Sequence, residues 1–264
     1  MTNSHGRFVW YELMTTDADG AERFYSDVVG WKVAPFGAGE SGGEDGGGMD
    51  YCLLSAPDGE VGGILKLPPG AEAGGMPPGW FGYIGVDDVD AAAERIVAAG
   101  GALHMEPQDI PGVGRFAFVA DPQGVSFYIM RGSSDGASNA FAEKGVGHCS
   151  WNELSTSDQD GAIAFYREQF GIQPGDSMDM GPMGTYQFID HGGTMIGAIM
   201  TRPPQGPRPM WSFYFRVNSI ASAVERIRAA GGQVVHEPHQ VPGGDYIVVG
   251  TDPQGAMFHL VGEK

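Results

Sequence analysis

The sequence contains one set of short peptides twice. Three peptides recur in the same order: WYEL at 10–13 and WNEL at 151–154, FY at 24–25 and 165–166, and DPQG at 121–124 and 252–255. The first two recur at a displacement of 141 (151 − 10 and 165 − 24), and the third at 131 (252 − 121). The ten missing positions lie between these blocks, where the first copy carries the glycine-rich loop Gly37–Gly48. Identical peptides at fixed displacements are typical of an internal duplication, so the chain must form two related structures.

The duplication also sets the predicted domain boundaries. At 264 residues the chain has room for one large domain or two of ordinary size, and the repeat favours two. We predict a first module over residues 1–131, a linker over 132–146 and a second module over 147–264. The linker is rich in Gly and Ser, which is typical of a flexible connection.

Strand and helix patterns alternate within each copy. Residues 8–13 have a period of two, which predicts a strand, and Asp17 can cap the helix that follows. The predicted apolar faces of the two helices in the first copy are Ala21, Phe24, Tyr25 and Val28, and Val89, Ala92, Ala93, Ile96 and Val97. Each copy is therefore predicted to run strand–helix–strands twice, which indicates an α+β fold.

Composition and charge argue against several classes of function. A formal net charge of −18 repels a phosphate backbone, and the 15 Lys and Arg form no basic run, so we expect no nucleic-acid partner. No apolar stretch reaches the roughly 20 residues of a membrane helix, and MTNSHGRF lacks a signal-peptide pattern, so we expect a cytoplasmic protein without a membrane partner. Cys52 and Cys149 lack CxxC spacing and are predicted to be buried thiols.

The order of these elements resembles the glyoxalase/bleomycin resistance/dioxygenase superfamily, also called vicinal oxygen chelate proteins. The resemblance rests on FY in the first helix, AAGG after the second helix and DPxG before the last strand, and it covers nearly the whole chain. It extends to two-module members whose first strand is W-x-E-L. It implies tandem modules, each made of two βαβββ units that form a half-open barrel with the site on its concave face. Function does not follow from such a fold.

The resemblance also implies where a metal would bind. Metal-dependent members place ligands on the first strand, on the strand that opens the second half, on the final strand and sometimes on another strand of the first half. The matching positions are Trp10, about Gly63, Phe81 and Tyr128 in the first copy, and Trp151, about Gly197, Ser212 and His259 in the second. Only His259 is a credible ligand, and one imidazole does not make a metal site. We therefore expect no metal and no cofactor.

The same positions suggest binding of a small molecule. Six residues are predicted to contact it: Trp10, Glu12, Phe81, Tyr128, Trp151 and Ser212. Their aromatic rings would give an apolar wall suited to a planar or aliphatic ligand. The alternative is that these rings fill the barrel as core.

Two ionisable residues are the candidate catalytic groups. Glu153, like Glu12, lies two residues beyond a Trp and so on the same strand face. Its carboxylate would be a general base or an anchor for the ligand, or else a structural group that pairs with an Arg. His259 takes the place of Tyr128 and would be a base, an anchor or an inert buried histidine. Together, Glu153 and His259 are expected to form a proton-transfer pair near neutral pH.

Three functions remain open at this point. The first is a binding protein for a small apolar or aromatic molecule, and the second is an isomerase or lyase that uses Glu153 or His259 for proton transfer. The third is a metal-dependent glyoxalase or extradiol dioxygenase, which the missing ligands disfavour. In each case we expect a small-molecule partner and a monomer or weak homodimer.

Overall fold

The structure is a computed structural model that describes residues 5–36, 51–67, 70, 77–134, 136–203 and 205–264. The loop Gly37–Gly48, where the two copies differ in length, lies outside the described residues.

The first copy runs βαβββ twice. Its elements are β1 (Phe8–Thr15), α1 (Ala18–Val28), β2 (Lys32–Pro35), β3 (Tyr51–Ala56), β4 (Gly59–Lys66), β5 (Gly79–Gly85), α2 (Val89–Ala98), β6 (Ala102–Ile110), β7 (Gly114–Ala120) and β8 (Ser126–Gly132). The order strand–helix–strands that the periodicity predicted is confirmed for this copy.

The second copy has the same order. Its elements are β9 (Cys149–Thr156), α3 (Gln159–Phe170), β10 (Gln173–Asp179), β11 (Thr185–His191), β12 (Thr194–Thr201), β13 (Met210–Ser219), α4 (Ile220–Ala229), β14 (Gln233–Gln240), β15 (Tyr246–Thr251) and β16 (Met257–Glu263). A short 3₁₀ turn, Gly181–Met183, joins β10 to β11.

The strands of each copy form one eight-stranded sheet. The strand order is β2-β3-β4-β1-β5-β8-β7-β6 in the first sheet and β10-β11-β12-β9-β13-β16-β15-β14 in the second. In each βαβββ unit the first strand pairs in parallel with the last strand, and the last three strands form antiparallel pairs. Within the described residues neither sheet closes on itself, and the predicted α+β fold of tandem, half-open modules is confirmed.

Side-chain caps and apolar faces place the helices. The carboxylates of Asp17 and Asp158 accept hydrogen bonds from the backbone N–H groups of Gly20 and Gly161, both at 3.0 Å, at the starts of α1 and α3. The predicted apolar faces are buried, with one exception. Val97 is 47% exposed, because it follows Ile96 by a rotation of about 100° and points away from the sheet. Among the described residues, no helix is long and apolar enough to cross a membrane.

The contacts within the chain define two compact units, and each combines halves of both copies. One unit contains Met1–Val9, Phe81–Ser138 and Trp151–Ser212, and we call it the inner unit because most of its residues come from the middle of the sequence. The other contains Trp10–Trp80, Asn139–Ser150 and Phe213–Lys264, and we call it the outer unit because most of its residues come from the two end regions of the sequence. The predicted boundaries at residues 131 and 147 stay a prediction, because the sheets follow the copies whereas the compact units do not.

A buried chain of hydrogen bonds lies in the core of the outer unit. The indole Nε1 of Trp80 donates to the Tyr25 hydroxyl at 3.1 Å, and that hydroxyl donates to Asp252 Oδ2 at 3.1 Å. Asp252 is the first residue of DPQG, and its Oδ1 accepts the backbone N–H groups of Gln254 and Ala256. The chain joins the FY peptide of one copy to the DPQG turn of the other, which explains why both peptides occur twice.

The inner unit contains the matching chain. Trp211 Nε1 donates to the Tyr166 hydroxyl at 2.9 Å, and Tyr166 donates to Asp121 Oδ2 at 3.2 Å. Burial raises the pKa of the Asp121 carboxyl, as it does for Asp252, although backbone N–H donors oppose the shift. Burial also raises the pKa of Tyr166 well above its usual range. These groups are structural, because their side chains satisfy one another inside the core.

The segment before β9 is fixed within the outer unit. His148 Nδ1 lies 2.6 Å from the Asn139 carbonyl, and its Nε2 lies 2.7 Å from Asp58 Oδ1. Trp31 Nε1 donates to the Gly147 carbonyl at 2.6 Å. His148 thus belongs to the scaffold. Cys149 is buried as predicted, whereas Cys52 is only half-buried, so the prediction for Cys52 is wrong.

Candidate functional site

An aromatic cluster covers β5, β7 and β8 in the inner unit. Tyr83 and Tyr128 are stacked with ring centroids 4.3 Å apart, and Phe118 lies 4.6 Å from Tyr128. Phe81, which is only half-buried, packs at 5.5 Å from Phe118 and 6.4 Å from Tyr128. The predicted ligand-binding residues Phe81 and Tyr128 are therefore together in one cluster. Phe118 joins them because it faces Tyr128 across the antiparallel β7–β8 pair.

A second cluster in the inner unit lies on β9 and β11. Trp151 Nε1 donates to the Tyr186 hydroxyl at 2.9 Å, and this hydroxyl donates to Glu153 Oε2 at 2.6 Å. Phe188 packs against Trp151 at 6.0 Å and against Tyr186 at 5.6 Å, nearly perpendicular to both rings. We call Trp151, Glu153, Tyr186 and Phe188 the carboxylate cage. All four side chains are half-buried, so they remain in reach of a ligand.

The alternation within β9 is the reason that Trp151 and Glu153 share a face. Side chains two residues apart on a strand point to the same side of the sheet, as the sequence predicted. The Tyr186 side chain reaches them from β11, across β12. At the crossing point β12 has Ala198, which pairs with Glu153 on one side and with Phe188 on the other. A small residue there leaves room for the tyrosine ring.

The outer unit contains the first copy's counterpart of this arrangement. Trp10 Nε1 donates to the Tyr51 hydroxyl at 2.9 Å, as Trp151 does to Tyr186. A Cβ added at Gly63 would lie 2.1 Å from the Tyr51 hydroxyl oxygen. The tyrosine thus fills the space above Gly63. Glu12 pairs with Gly63 in the β1–β4 register and is 3% exposed.

His259 lies on β16 in the outer unit, beside Tyr214. The two rings are 4.8 Å apart, and the residues pair in the parallel β13–β16 register. Burial lowers the pKa of His259 to about 4, and the nearby His236 adds to the effect. The imidazole is therefore neutral at physiological pH. The sequence led us to expect a histidine that gains and loses a proton near neutral pH. The buried site disfavours the charged form.

Three of the positions that the resemblance assigns to metal ligands, Trp10, Gly63 and Phe81, offer no suitable donor atom. The Trp10 indole nitrogen carries a hydrogen that it donates to Tyr51, and Phe81 has no donor atom. Tyr51 occupies the space that a ligand side chain at Gly63 would need. In the second copy the strand register gives Ala198 the place of Gly63 and gives Gly197 the place of Gly62. Across the described ranges, no three His, Cys, Asp or Glu side chains come together as a candidate metal site.

The predicted site residues are divided between the two compact units. Trp151, Glu153, Phe81, Tyr128 and Ser212 belong to the inner unit, with Ser212 buried on β13. The remaining predicted residues, Trp10, Glu12 and His259, belong to the outer unit. The pairing of Glu153 with His259 stays a prediction.

Sequence reasoning missed Tyr83 and Phe118 in the first cluster, and it also missed Tyr51, Tyr186 and Phe188 around the two tryptophans. Tyr51 and Tyr186 recur at a displacement of 135 (186 − 51), which differs from both displacements used to align the copies. Phe188 has no aromatic counterpart, because Leu53 takes its place (188 − 135 = 53). A search for a third displacement between the two blocks would have found both tyrosines.

Comparison with known proteins gives matches along the whole chain. Residues 7–129 and 145–260 each match the profile of the Glyoxalase/Bleomycin resistance protein/Dioxygenase superfamily. The chain is 34% identical over 252 residues to the "Putative glyoxylase CFP32" of Mycobacterium tuberculosis, which covers 96% of this chain and 93% of that protein. It is 32% identical over 260 residues to the "Anthracycline biosynthesis protein DauV" of Streptomyces sp. (strain C5), which covers 97% and 93%.

The fold is also similar to solved structures. The Mn(II)-bound glyoxalase from Novosphingobium aromaticivorans superposes with a TM-score of 0.62 at 16% identity, over 100% of this chain and 83% of that one. At that level of identity the similarity concerns the fold alone.

Proposed function

Since the chain belongs to the Glyoxalase/Bleomycin resistance protein/Dioxygenase superfamily, we propose that it binds a small apolar or aromatic organic molecule without a metal. The observation that carries this proposal is the cluster of Phe81, Phe118 and Tyr128. Two of these three residues stand where metal-dependent members are expected to have ligands.

The chemistry of the cluster supports an organic ligand. Aromatic side chains remove a large apolar area from water, and offset or perpendicular ring pairs each contribute about 0.5–1.5 kcal/mol beyond that area. Phe81 and Phe116 are half-buried and lie next to rings that are already packed, so a planar ligand can extend an existing stack. Small-molecule sites are typically lined by such side chains with few polar groups.

The names of the relatives agree with a small organic substrate. One is named a putative glyoxylase and another an anthracycline biosynthesis protein. Each name belongs to that relative, and it supports the class of ligand proposed for this chain without specifying the molecule.

An isomerase or lyase is the second candidate, and the carboxylate cage is the observation that favours it. Glu153 is half-buried and accepts a 2.6 Å hydrogen bond from Tyr186, which fixes the orientation of the carboxylate. A carboxylate held in this way can take a proton from a carbon next to a carbonyl and return it elsewhere. His259, with a pKa of about 4, would contribute as a neutral hydrogen-bond partner rather than as a base. A metal-dependent glyoxalase or dioxygenase remains third.

Titration with a neutral planar probe tests the binding proposal. We expect 2-(1-naphthyl)ethanol to bind saturably in calorimetry, and Phe81→Ala to weaken binding by about 3–10-fold, the equivalent of one aromatic contact. Phe36→Ala is the matched control, because Phe36 is 47% exposed and lies outside the cluster. The absence of saturable binding, or an equal loss in both variants, would refute the proposal.

Turnover of methylglyoxal–thiol adducts separates the second candidate from simple binding. Turnover that survives dialysis against a chelator and is lost in Glu153→Gln would establish the metal-free isomerase or lyase. Turnover that requires added metal would favour the third candidate instead.

A further inference from the structure

We propose that the carboxylate cage binds a cationic amine group of the organic ligand. The inference rests on the proposed function and deepens it, because it specifies the charge of one ligand group. It concerns Trp151, Glu153, Tyr186 and Phe188, all within the inner unit.

The Phe188 ring lies nearly perpendicular to each of the other two rings of the cage. The Phe188 ring makes an angle of 81° with Trp151 and of 80° with Tyr186, at centroid distances of 6.0 and 5.6 Å. Aromatic faces carry negative electrostatic potential and attract ammonium groups within about 6 Å of the ring centre. Three half-buried rings in this arrangement favour a compact cation over an anion or a neutral hydroxyl.

The carboxylate supplies the opposite charge at the edge of the rings. Glu153 Oε2 accepts the Tyr186 hydroxyl, and that hydroxyl accepts the Trp151 N–H, so one series of hydrogen bonds runs from the indole to the carboxylate. The series uses the polar atoms of both aromatic residues and orients their rings around Glu153. An ammonium group can then form a charge-assisted hydrogen bond with the carboxylate.

The first copy shows what the cage adds. It has the same Trp10–Tyr51 hydrogen bond, but Leu53 stands where the second copy has Phe188. In addition, Glu12 is 3% exposed, whereas Glu153 is half-buried. The first copy therefore lacks both the perpendicular ring and an accessible carboxylate. We therefore assign the amine group to the second copy. Phe188→Leu gives its cage the leucine that the first copy has at position 53.

Two matched probes test the assignment: 2-(1-naphthyl)ethylamine, a cation at pH 7, and 2-(1-naphthyl)ethanol, its neutral counterpart. Calorimetry is run at about 0.15 M salt, where the Debye length of about 8 Å limits general attraction by the net charge of −18. We expect the amine to bind at least about tenfold more tightly than the alcohol. Glu153→Gln should remove most of this preference while it changes the affinity for the alcohol less than about twofold.

Two further variants test whether the aromatic rings contribute to binding and whether the effect of charge is specific to Glu153. Phe188→Leu should weaken binding of the amine about 2–5-fold, the range for one partly exposed cation–π contact. Glu168→Gln removes the same charge from an exposed position on α3, outside the cage, and should leave the preference for the amine intact.

The possible failures are distinct. Equal affinities for amine and alcohol, or a preference that survives Glu153→Gln, would overturn the cage assignment and leave the proposed function standing. If neither probe binds, both proposals fail.

Discussion

Removal of the Tyr25 hydroxyl tests whether the buried Trp–Tyr–Asp chain stabilises the outer unit. Tyr25→Phe keeps the ring, which packs against Phe24 at 5.0 Å and Trp80 at 5.2 Å, and deletes only the oxygen. The deletion leaves two buried groups without this partner, the Trp80 indole N–H and Asp252 Oδ2. Any loss of stability is therefore due to hydrogen bonding rather than to packing.

The expected loss follows from these two groups. A buried polar group without a partner costs about 1–3 kcal/mol, so two such groups cost about 2–6 kcal/mol. We expect about 2–4 kcal/mol, because Asp252 Oδ1 keeps its bonds to the Gln254 and Ala256 N–H groups.

The loss of stability in Tyr25→Phe should also depend on pH. The Tyr25 O–H favours the ionised form of Asp252, so Tyr25→Phe raises the pKa of this carboxyl further above 3.8. The variant then loses stability as pH rises from the pKa of Asp252 in the unfolded chain to its raised pKa in the folded protein. The difference in unfolding free energy between wild type and variant is therefore smaller near pH 4 than at pH 7.

Urea unfolding at pH 4 and pH 7, followed by far-UV circular dichroism, measures both effects. Tyr246→Phe is the matched control, because Tyr246 is only half-buried, with Lys264 5.8 Å from its ring centre. We expect this control to change the free energy of unfolding by less than about 0.5 kcal/mol. A loss below about 1 kcal/mol for Tyr25→Phe, or a loss that grows toward pH 4, would contradict the reasoning.

Three further predictions concern other groups. His148 holds the pKa of Asp58 below its usual value, so Asp58→Asn should lower the unfolding midpoint at pH 7, and the difference should shrink as pH falls below that lowered pKa in thermal melts. The imidazole of His259, with a pKa of about 4 against 6.5 unfolded, should stay neutral in NMR titrations down to about pH 5. The contribution of His259 to stability should fall by at most about 3 kcal/mol between pH 6.5 and 4, and this part of the pH dependence should be absent from His259→Phe. Elemental analysis of untagged protein should find less than about 0.1 equivalent of Zn, Ni, Fe or Mn, since the ligand positions hold Trp10, Phe81, Tyr128, Trp151 and Ser212. One equivalent that resists dialysis would contradict that assignment.

Most of the fold follows from local patterns in the sequence. The period of 3.6 in Ala21, Phe24, Tyr25 and Val28, and the capping residue Asp17, predicted the helix that the structure contains. Four of the five apolar residues predicted for α2, Val89, Ala92, Ala93 and Ile96, are likewise buried. Strand β6 was harder to place, because in Ala102–Ile110 only Leu103 and Met105 are apolar residues that alternate with polar ones, and Pro107 ends this short pattern. Val97 shows the limit of helix periodicity, since a residue at the edge of an apolar stripe can face either way.

Less of the candidate site was predictable, for a physical reason. Strand alternation placed Trp151 and Glu153 on one face, but it gave no information on which side chain from another strand reaches them. Tyr186 is separated from Glu153 by the intervening strand β12, and its approach depends on the small residue Ala198. Contacts across a sheet depend on register, which a local pattern does not specify. The low pKa of His259 likewise depends on burial and on His236, which is distant in sequence.

The crossing of copies in the two buried chains limits how this protein can be divided or shortened. Tyr25 and Trp80 come from the first copy and Asp252 from the second, while Tyr166 and Trp211 come from the second and Asp121 from the first. A gene truncated to one copy would encode a tyrosine and an aspartate that lack their partners. The encoded chain could complete the Trp–Tyr–Asp hydrogen bonds only by pairing with an identical chain, so that each chain supplies the carboxylate that the other lacks. Fusion of two such genes makes that exchange intramolecular, independent of protein concentration, and leaves the two halves free to diverge at positions such as 53 and 188.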